Sequence, residues 1–295
     1  PLHGTLHALR ICSHRSAYGR GKGMVGDINF QSWKYDKVLS KRQPGSTFKL
    51  FVYAEAMNQG LSPCDLRVDE NIPWEVEENG EKKLWMPHNA NGGATLDTMS
   101  LKMAFAQSVN TIAANIAHEV GIHQIATTAH RMGIQTELEE TPALSLGASD
   151  VSLLELVSAY GTVVNDGKAI HPILITRVEN KDGKVIYQNE TETTQAIPYT
   201  SAYLMQQMLR GGLTCPGGTS RALWRFRIFD KGTEFGGKTG TSSNHSDAWF
   251  VGISPNLVGG AGWAENIVVF ISVQANWDKA AAPHCPYSAI SWKKY

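Results

Sequence analysis

The chain has 295 residues, of which 42% are hydrophobic and 18% charged, an ordinary composition for a globular protein with a sizeable core. Lys plus Arg and Asp plus Glu both number 27, so no charge excess argues for nucleic acid or an anionic membrane surface as a partner. No run of about eighteen apolar residues occurs, so no membrane-spanning helix is predicted. The cysteines lack metal-ligand spacing, which excludes a zinc site and a disulfide framework; they are Cys12, Cys64, Cys215 and Cys285.

The first strong signal along the chain is a turn that leads into a helix. Pro44 and Gly45 form the turn, and Ser46 is predicted to cap an apolar-periodic helix that runs to Met57. A helix N-terminus favours developing negative charge. Lys49 lies one turn after Ser46, so its amine projects from the same face and is placed to act as a base for the serine. The bland alternative is a capping serine followed by a solvated lysine.

Helical periodicity dominates the middle of the chain, and strand patterns come late. Further helices are predicted at Ser100–Gln107, Thr111–Val120, Ile122–Met132, Ser152–Val164 and Thr200–Leu209, the last stopped by Gly211-Gly212. Strands are predicted at Ile72–Val76, Ile173–Val178, Val185–Tyr187, Phe235–Thr241 and Ala248–Ile253. The rest of Ser62–Ala94 is predicted to be irregular. This order indicates an α+β fold in which a helical subdomain is inserted between parts of a sheet.

Two more short motifs carry polar groups at element ends. Ser108-Val109-Asn110 interrupts two predicted helices, which leaves a hydroxyl and an amide free to face a cleft, although a structural cap explains it equally well. Lys238-Thr239-Gly240-Thr241 lies on a predicted strand, where alternate side chains share one face and Gly240 allows close approach of the backbone.

In this order, S-x-x-K, S-x-N and K-T-G form a known set of catalytic motifs of penicillin-recognising serine enzymes. The surrounding sequence is more specific: RQPGSTFK, SLGASDVSLLELVSAYGTVVNDG, PGGTS and GGKTGTSSNHSDAWFVG resemble the transpeptidase domain of class A penicillin-binding proteins. The resemblance implies an antiparallel sheet flanked by helices, as in the serine β-lactamases. It also implies no cofactor and no metal.

The resemblance implies a role for each motif residue. Ser46 is the expected nucleophile toward the carbonyl between two D-alanines of a peptidoglycan stem peptide, and Lys49 takes its proton. Ser108 relays a proton toward the leaving amine. Asn110 binds the backbone of the substrate.

The K-T-G strand is expected to bind the carboxylate of the substrate or of a β-lactam. Lys238 supplies positive potential, while Thr239 and Thr241 bind the carboxylate beside Gly240. The oxyanion hole would be the backbone N–H groups of Ser46 and Thr241, a feature worth about 3–4 kcal/mol per donor.

Other polar side chains are weaker candidates. His245 and Asp247 are interpreted as a loop residue and the start of a strand, and Trp249 and Phe250 as packing residues. Thr219 in PGGTS is a candidate for lining the cleft. A His-based triad is a poor rival because His88, His118, His123 and His130 lack Ser and Asp partners in a defensible order.

Three other functions remain open on the sequence. One is hydrolysis by a serine β-lactamase, D,D-carboxypeptidase or esterase of the same fold, although no glutamate in a motif is placed to activate a deacylating water. The others are a β-lactam sensor and a degenerate domain without activity. The resemblance places the parent protein in the cell envelope, at the outer face of the cytoplasmic membrane or in the periplasm, and predicts that this chain is soluble.

The whole chain, 1–295, is predicted to form a single transpeptidase-like domain, with the resemblance covering about 25–260 and atypical ends at 1–24 and 262–295. The glycosyltransferase domain and membrane anchor of class A proteins are not expected in this chain. Read in another frame, the codons permitted by His14–Met24 can encode the D-P-R-T-G-E-V-K-A-W type of opening strand. We hypothesise that both termini are frameshifted relative to a parent gene, which the coding DNA tests, and that Ile267–Val273 still serves as a strand.

Overall fold

The computed structural model describes residues 21–25, 36–78, 80–173, 175–189, 193–227, 232, 234–242, 247–264 and 267–274. The α-helices in these ranges are α1 (Lys49–Asn58), α2 (Leu101–Gln107), α3 (Asn110–Val120), α4 (Ile122–Met132), α5 (Leu153–Val164) and α6 (Tyr199–Thr214). None of them has the length and apolar content needed to cross a bilayer.

Fifteen strands are described in the same ranges. They are β1 (Gly21–Val25), β2 (Lys41–Arg42), β3 (Leu66–Val68), β4 (Trp74–Glu78), β5 (Glu81–Trp85), β6 (Thr98–Ser100), β7 (Val151–Ser152), β8 (Lys168–Ile170), β9 (Arg177–Glu179), β10 (Val185–Gln188), β11 (Thr193–Gln195), β12 (Gly236–Thr241), β13 (Asp247–Ser254), β14 (Leu257–Ala264) and β15 (Ile267–Gln274).

The main sheet is antiparallel with the strand order β1-β15-β14-β13-β12, and the other strands form two-stranded ribbons. Helix α5 packs against β13, β14 and β15, and α6 packs against β12. Glycines of β14 permit this contact, since a Cβ at Gly260 would lie 2.4 Å from Val157 Cγ2 of α5. The predicted α+β class, with a sheet flanked by helices, is therefore confirmed.

Helix α1 lies at the centre of the helical layer, in contact with α3, α4 and α6. The sequence predicts one apolar stripe, but every residue from Lys49 to Met57 is buried, which is typical of a helix enclosed on all sides. The prediction that the Ser46 side chain caps the helix is wrong. Ser46 lies inside a 3-10 turn, Gly45–Phe48, that leads into α1. Its position at the N-terminal end of a helix is nevertheless confirmed.

The other predicted helices begin and end near their expected residues, with one exception. Helix α6 continues through Gly211-Gly212 to Thr214. Here glycine serves packing instead of termination: a Cβ at Gly212 would lie 2.8 Å from Gly237 O of β12. The strand predicted at Ile72–Val76 corresponds to β4, but the prediction that the rest of Ser62–Ala94 is irregular is wrong in part, because it also contains β3 and β5.

The terminal segments contribute to the sheet where they are described. The last residues of the atypical segment 1–24 belong to β1, which pairs with β15. The strand predicted at Ile267–Val273 is confirmed as β15. Residues 1–20 and 275–295, which carry most of the hypothesised frameshifts, lie outside the described residues.

A capping box begins α5, as the sequence predicts, and its carboxylate also ties down a neighbouring loop. Glu155 accepts hydrogen bonds from the Ser152 N–H at 2.9 Å, the Gln135 N–H at 2.9 Å and the Thr136 N–H at 2.8 Å. Burial opposes ionisation of Glu155, but hydrogen bonds from Ser152, Gln135 and Thr136 outweigh it and hold the pKa of this carboxyl below its ordinary value.

We expect Glu155→Gln to lower the melting temperature near pH 7 and to flatten its dependence on acid pH. Because the folded pKa is depressed, the ionised carboxylate stabilises the fold above its unfolded pKa of about 4.5, and this contribution is lost as pH falls through the folded pKa. The effect is measured by thermal unfolding at pH values from roughly 3 to 7, a range that covers carboxyl titration. Glu137→Gln, at an exposed position, is the control. Parallel curves for the wild type and Glu155→Gln would contradict the prediction.

Candidate active site

The turn that carries Ser46 is held in place through its backbone. The Tyr160 hydroxyl donates to Thr47 O at 2.8 Å, the Thr47 hydroxyl donates to Pro44 O at 2.7 Å, and the Gly45 N–H donates to Gly147 O at 3.3 Å. Gly45 has a φ of +53°. Ser46 itself is half-buried, so the turn presents its side chain at the edge of the core.

Strand β12 lies directly against this turn. A Cβ at Gly45 would lie 2.3 Å from Thr241 O, and one at Gly240 would lie 2.3 Å from Pro44 O. Real Cβ atoms do not approach backbone so closely, so glycine is required on both sides of the contact. The K-T-G glycine therefore brings the sheet edge against the Ser46 turn, as the sequence predicts.

Two buried lysines meet at the hydroxyl of Ser108. Lys49 Nζ donates to Ser108 O at 2.7 Å, to Asn110 Oδ1 at 2.6 Å and to Ser108 Oγ at 3.3 Å. Lys238 Nζ donates to Ser108 Oγ at 2.8 Å and to Thr239 O at 2.9 Å. Ser108 has a φ of +62°, an uncommon conformation for a residue other than glycine and one that occurs at functional sites.

The environment lowers the pKa of both lysines. Lys49 is 0% exposed and Lys238 is 1% exposed. Burial, and then the charge of Lys238, place the pKa of Lys49 well below its ordinary value. Burial lowers the pKa of Lys238 to about 7. Among the described residues, both amines have only hydroxyl, amide and carbonyl oxygens as hydrogen-bond partners and no carboxylate, so Lys49 is suited to accept a proton.

The structure thus joins five of the eight predicted site residues by hydrogen bonds and places the other three against them through the backbone. The first group is Lys49, Ser108, Asn110, Lys238 and Thr239. The second group is Ser46, Gly240 and Thr241. None of the three hydrogen bonds of Lys49 Nζ goes to Ser46 Oγ. The oxyanion hole at the N–H groups of Ser46 and Thr241 stays a prediction.

Thr219 joins the site from a separate loop. The Thr239 hydroxyl donates to Thr219 Oγ1 at 2.7 Å. The loop is fixed to the end of α2, since the Thr219 N–H donates to Ala106 O at 3.0 Å and Gln107 Nε2 donates to Pro216 O at 3.1 Å. Thr219 is exposed, so it lies at the open side of the K-T-G strand.

Because Thr239 is predicted to bind the carboxylate of the ligand, we expect Thr219→Val to slow acylation about 3- to 10-fold, the worth of one hydrogen bond of about 0.5–1.5 kcal/mol. Without its acceptor, the Thr239 hydroxyl loses the partner that orients it. The second-order rate constant for acylation by a penicillin measures this effect. Thr219→Ser keeps the hydroxyl and should stay within twofold of the wild type; equal losses in both variants would contradict the prediction.

The remaining candidate residues that the structure describes make contacts typical of structural residues. Asp247 begins β13 and forms an ion pair with Arg42 at 3.4 Å. Trp249 is buried and Phe250 stacks on Phe235, in agreement with their predicted packing roles. His245 lies outside the described residues. Among the cysteines in the described ranges, Cys64 and Cys215 are free thiols.

Sequence reasoning missed Asp69 and Asn89. Both lie in the segment predicted to be irregular, about twenty residues or more before Asn110. Asn89 Oδ1 accepts from the Asn110 N–H at 2.8 Å, and Asn89 Nδ2 donates to Asp69 Oδ1 at 3.0 Å. No local pattern marks such residues, because their partners are distant in the chain.

Comparisons with known proteins agree with this geometry. The family model described as "Penicillin binding protein transpeptidase domain" matches residues 16–264. Penicillin-binding protein 2D of Bacillus subtilis is 30% identical over 244 residues, covering 82% of this chain and 35% of that protein. Penicillin-binding protein 1A of Rickettsia typhi is 28% identical over 267 residues, covering 82% and 33%. The chain thus spans about a third of the length of these curated relatives.

Solved structures show the same fold. Penicillin-binding protein 1A from Haemophilus influenzae superimposes with a TM-score of 0.68 at 25% identity, covering 86% of this chain and 41% of that one. Penicillin-binding protein A from Mycobacterium tuberculosis, solved as an imipenem acyl-enzyme complex, gives a TM-score of 0.64 at 20% identity, covering 86% and 60%. At 20% identity, the second likeness concerns the fold alone.

Proposed function

Because the chain belongs to the family of penicillin-binding protein transpeptidase domains, we propose that it is a serine D,D-transpeptidase that cross-links peptidoglycan stem peptides. The reaction proceeds through an acyl-enzyme on Ser46, and β-lactams acylate the same residue. The observation that carries the proposal is the pair of buried lysines on the Ser108 hydroxyl, since one of them, Lys49, lies one helical turn from Ser46. Its place of action is the cell envelope, at the outer face of the cytoplasmic membrane or in the periplasm.

Acylation begins with proton transfer from Ser46 Oγ to the neutral amine of Lys49 as Oγ attacks the carbonyl between the two D-alanines. The N–H groups of Ser46 and Thr241 receive the developing oxyanion. The C–N bond then breaks, and the leaving D-alanine takes a proton through Ser108, which Lys49 replenishes. Asn110 binds the backbone of the donor peptide, and Lys238, Thr239 and Thr241 bind its terminal carboxylate beside Gly240.

Transfer of the acyl group runs these steps in reverse, with the amine of another peptide as the nucleophile. The amine of a second stem peptide attacks the acyl carbon and gives its proton to Lys49, and Ser46 Oγ leaves with a proton. The products are a cross-linked peptide and free D-alanine. A β-lactam follows the same first step, but its leaving amine stays tethered to the acyl group. The tethered group occupies the acceptor position, so the adduct is expected to be long-lived.

Acylation by a fluorescent penicillin, followed by intact mass and peptide mapping, tests this function. We expect one adduct per chain, located in the tryptic peptide Gln43–Lys49 that contains Ser46. Heat-denatured protein is the control and should not react. A second assay supplies a stem peptide ending in D-Ala-D-Ala together with an acceptor amine, and transfer should exceed hydrolysis.

The alternatives predict different outcomes in these two assays. Rapid release of the penicillin adduct would indicate a β-lactamase. Release of D-alanine without transfer would indicate a carboxypeptidase. A stable adduct with no reaction of the stem peptide would indicate a sensor. No labelling of protein that circular dichroism shows to be folded would overturn the proposal.

A further inference from the structure

Asn89, in the loop between β5 and β6, caps helix α3 from a distance in sequence. The N-cap residue of α3 is Val109, whose side chain makes no capping hydrogen bond. Helix starts leave backbone N–H groups without intrahelical partners. Asn89 Oδ1 accepts from the first two of α3, the Asn110 N–H at 2.8 Å and the Thr111 N–H at 3.3 Å. A residue twenty-one positions upstream therefore replaces the local cap.

Asp69 fixes the orientation of the Asn89 amide. Asn89 Nδ2 donates to the two carboxylate oxygens of Asp69 at 3.0 and 3.1 Å. Asp69 is 1% exposed and also accepts from the Thr95 N–H and hydroxyl, both at 2.9 Å, and from the Thr111 hydroxyl. Rotating the amide by half a turn would bring its oxygen against a carboxylate. The buried carboxylate thus forces Asn89 Oδ1 toward α3.

The carboxylate of Asp69 is ionised in this setting. Burial opposes the charge, but hydrogen bonds from Thr111, Thr95 and Asn89 outweigh burial and hold the pKa of Asp69 below its ordinary value. All of these partners are neutral groups. Asp69 is therefore suited to orient amides and hydroxyls around it.

The same loop also holds the side chain of Asn110. Asn110 Nδ2 donates to His88 O at 2.7 Å, which leaves Asn110 Oδ1 to receive Lys49 Nζ at 2.6 Å. His88 and Asn89 thus fix the side chain and the backbone of Asn110, respectively. Through Asn110 this support reaches the amine that is proposed to activate Ser46.

We propose that Asn89 is a positioning residue that fixes Asn110 and, through it, holds the Lys49 amine in place for acylation, with Asp69 setting the orientation of Asn89. The inference rests on the proposed function. It assigns neither Asn89 nor Asp69 a contact with substrate. It makes the loop between β5 and β6 part of the support of the site, although this loop is far from Ser46 in sequence.

The test compares Asn89 variants by their second-order rate constants for acylation by a fluorescent penicillin at pH 8. Asn89→Leu removes both hydrogen-bonding ends of the side chain at similar volume. We expect it to be about 10- to 100-fold slower, because misplacing a catalytic group by about 1 Å can cost about 100-fold. Asn89→Asp places a half-buried carboxylate against the buried carboxylate of Asp69, and we expect a similar loss.

The double variant Asp69→Asn/Asn89→Asp separates positioning from general damage. The exchanged pair restores one amide donor facing one carboxylate, and the carboxylate at position 89 accepts from the α3 N–H groups. We expect the acylation rate constant of the double variant to recover to within about threefold of the wild type. The remaining difference reflects neutral hydrogen bonds that the exchange alters, each of modest worth. No recovery relative to Asn89→Asp would overturn the assigned orientation of Asn89.

Asn115→Ala is the matched control on the same helix. Asn115 Nδ2 donates to Glu70 O at 3.0 Å, just after β3. Asn115→Ala therefore also removes a hydrogen bond between α3 and a distant segment, but it leaves the contacts of Asn110 unchanged. We expect the control to acylate within twofold of the wild type. Acylation of Asn89→Leu at the wild-type rate, or equal slowing of Asn89→Leu and Asn115→Ala, would overturn the inference.

Amide hydrogen exchange provides a readout that does not depend on activity. In Asn89→Leu, exchange at the N–H groups of Asn110 and Thr111 should accelerate while the middle of α3 stays protected. Failure of the wild type to acylate would overturn the proposed function. Hydrogen exchange would then still test whether Asn89 caps α3. Acylation of the wild type with unchanged variant rates would overturn the inference and leave the proposed function standing.

Discussion

Lys49→Met should lower the second-order rate constant for acylation by a penicillin about 10³-fold while the protein stays folded, within the range of about 10²–10⁴ for loss of a general base. Lys49 is fully buried one turn from Ser46, and burial together with Lys238 lowers its pKa, so its amine can be neutral and accept the serine proton. Methionine has a similar length and no basic group. The measurement is a time course of fluorescent penicillin adduct formation resolved by intact mass.

The thermal stability of Lys49→Met should be unchanged or raised. Its amine is stripped of water and has only neutral hydrogen-bond partners, Ser108 and Asn110, so an apolar side chain removes a desolvation cost. Lys102→Met on α2, at a half-buried lysine, is the matched control and should keep the wild-type acylation rate. If Lys49→Met acylates within tenfold of the wild type while remaining folded, Lys49 is not the base.

Gly240→Ala should reduce acylation about 100-fold, the scale expected for a 1 Å displacement of reacting groups. The added methyl would meet Pro44 O at 2.3 Å and Thr47 Cγ2 at 2.9 Å, so β12 and the Ser46 turn must move apart. The threonines proposed to bind the carboxylate, Thr239 and Thr241, and the Thr241 N–H proposed for the oxyanion hole all belong to the displaced strand. We also expect a lower melting temperature, because overpacking costs about 1–3 kcal/mol.

Gly93→Ala is the control for Gly240→Ala. A Cβ at Gly93 meets nothing within 4 Å, and Gly93 is not among the glycines with positive φ, so the alanine adds no clash and no strain. Acylation rate and melting temperature should both equal those of the wild type. If Gly240→Ala behaves like Gly93→Ala, the close contact between β12 and the Ser46 turn does not support the site.

The frameshift hypothesis for the two ends bears on the sheet beside the site. β1 and β15 pair with each other at the far edge from β12, with β13 and β14 between them and the K-T-G strand. Regular backbone pairing requires only a β-compatible composition, which Ile267–Gln274 has. The coding DNA stays the test of the hypothesis, since residues 1–20 and 275–295 lie outside the described residues.

The α+β class, the six helices and the three motifs of the site follow from the amino-acid sequence alone. These features depend on local chemistry: the capping box at Ser152 and the break at Ser108–Asn110 each operate within a few residues. The resemblance to penicillin-binding proteins rests on the same short stretches, and the family model confirms it.

How the motifs meet and what supports them depends on tertiary contacts. Burial of α1 on all sides, the passage of α6 through Gly211-Gly212 and the cap that Asn89 provides all depend on partners distant in the chain. A stop signal and a packing glycine look identical in sequence, because the difference is whether another backbone lies within reach. The lowered pKa of Lys49 likewise follows from burial beside Lys238, nearly two hundred residues away in sequence.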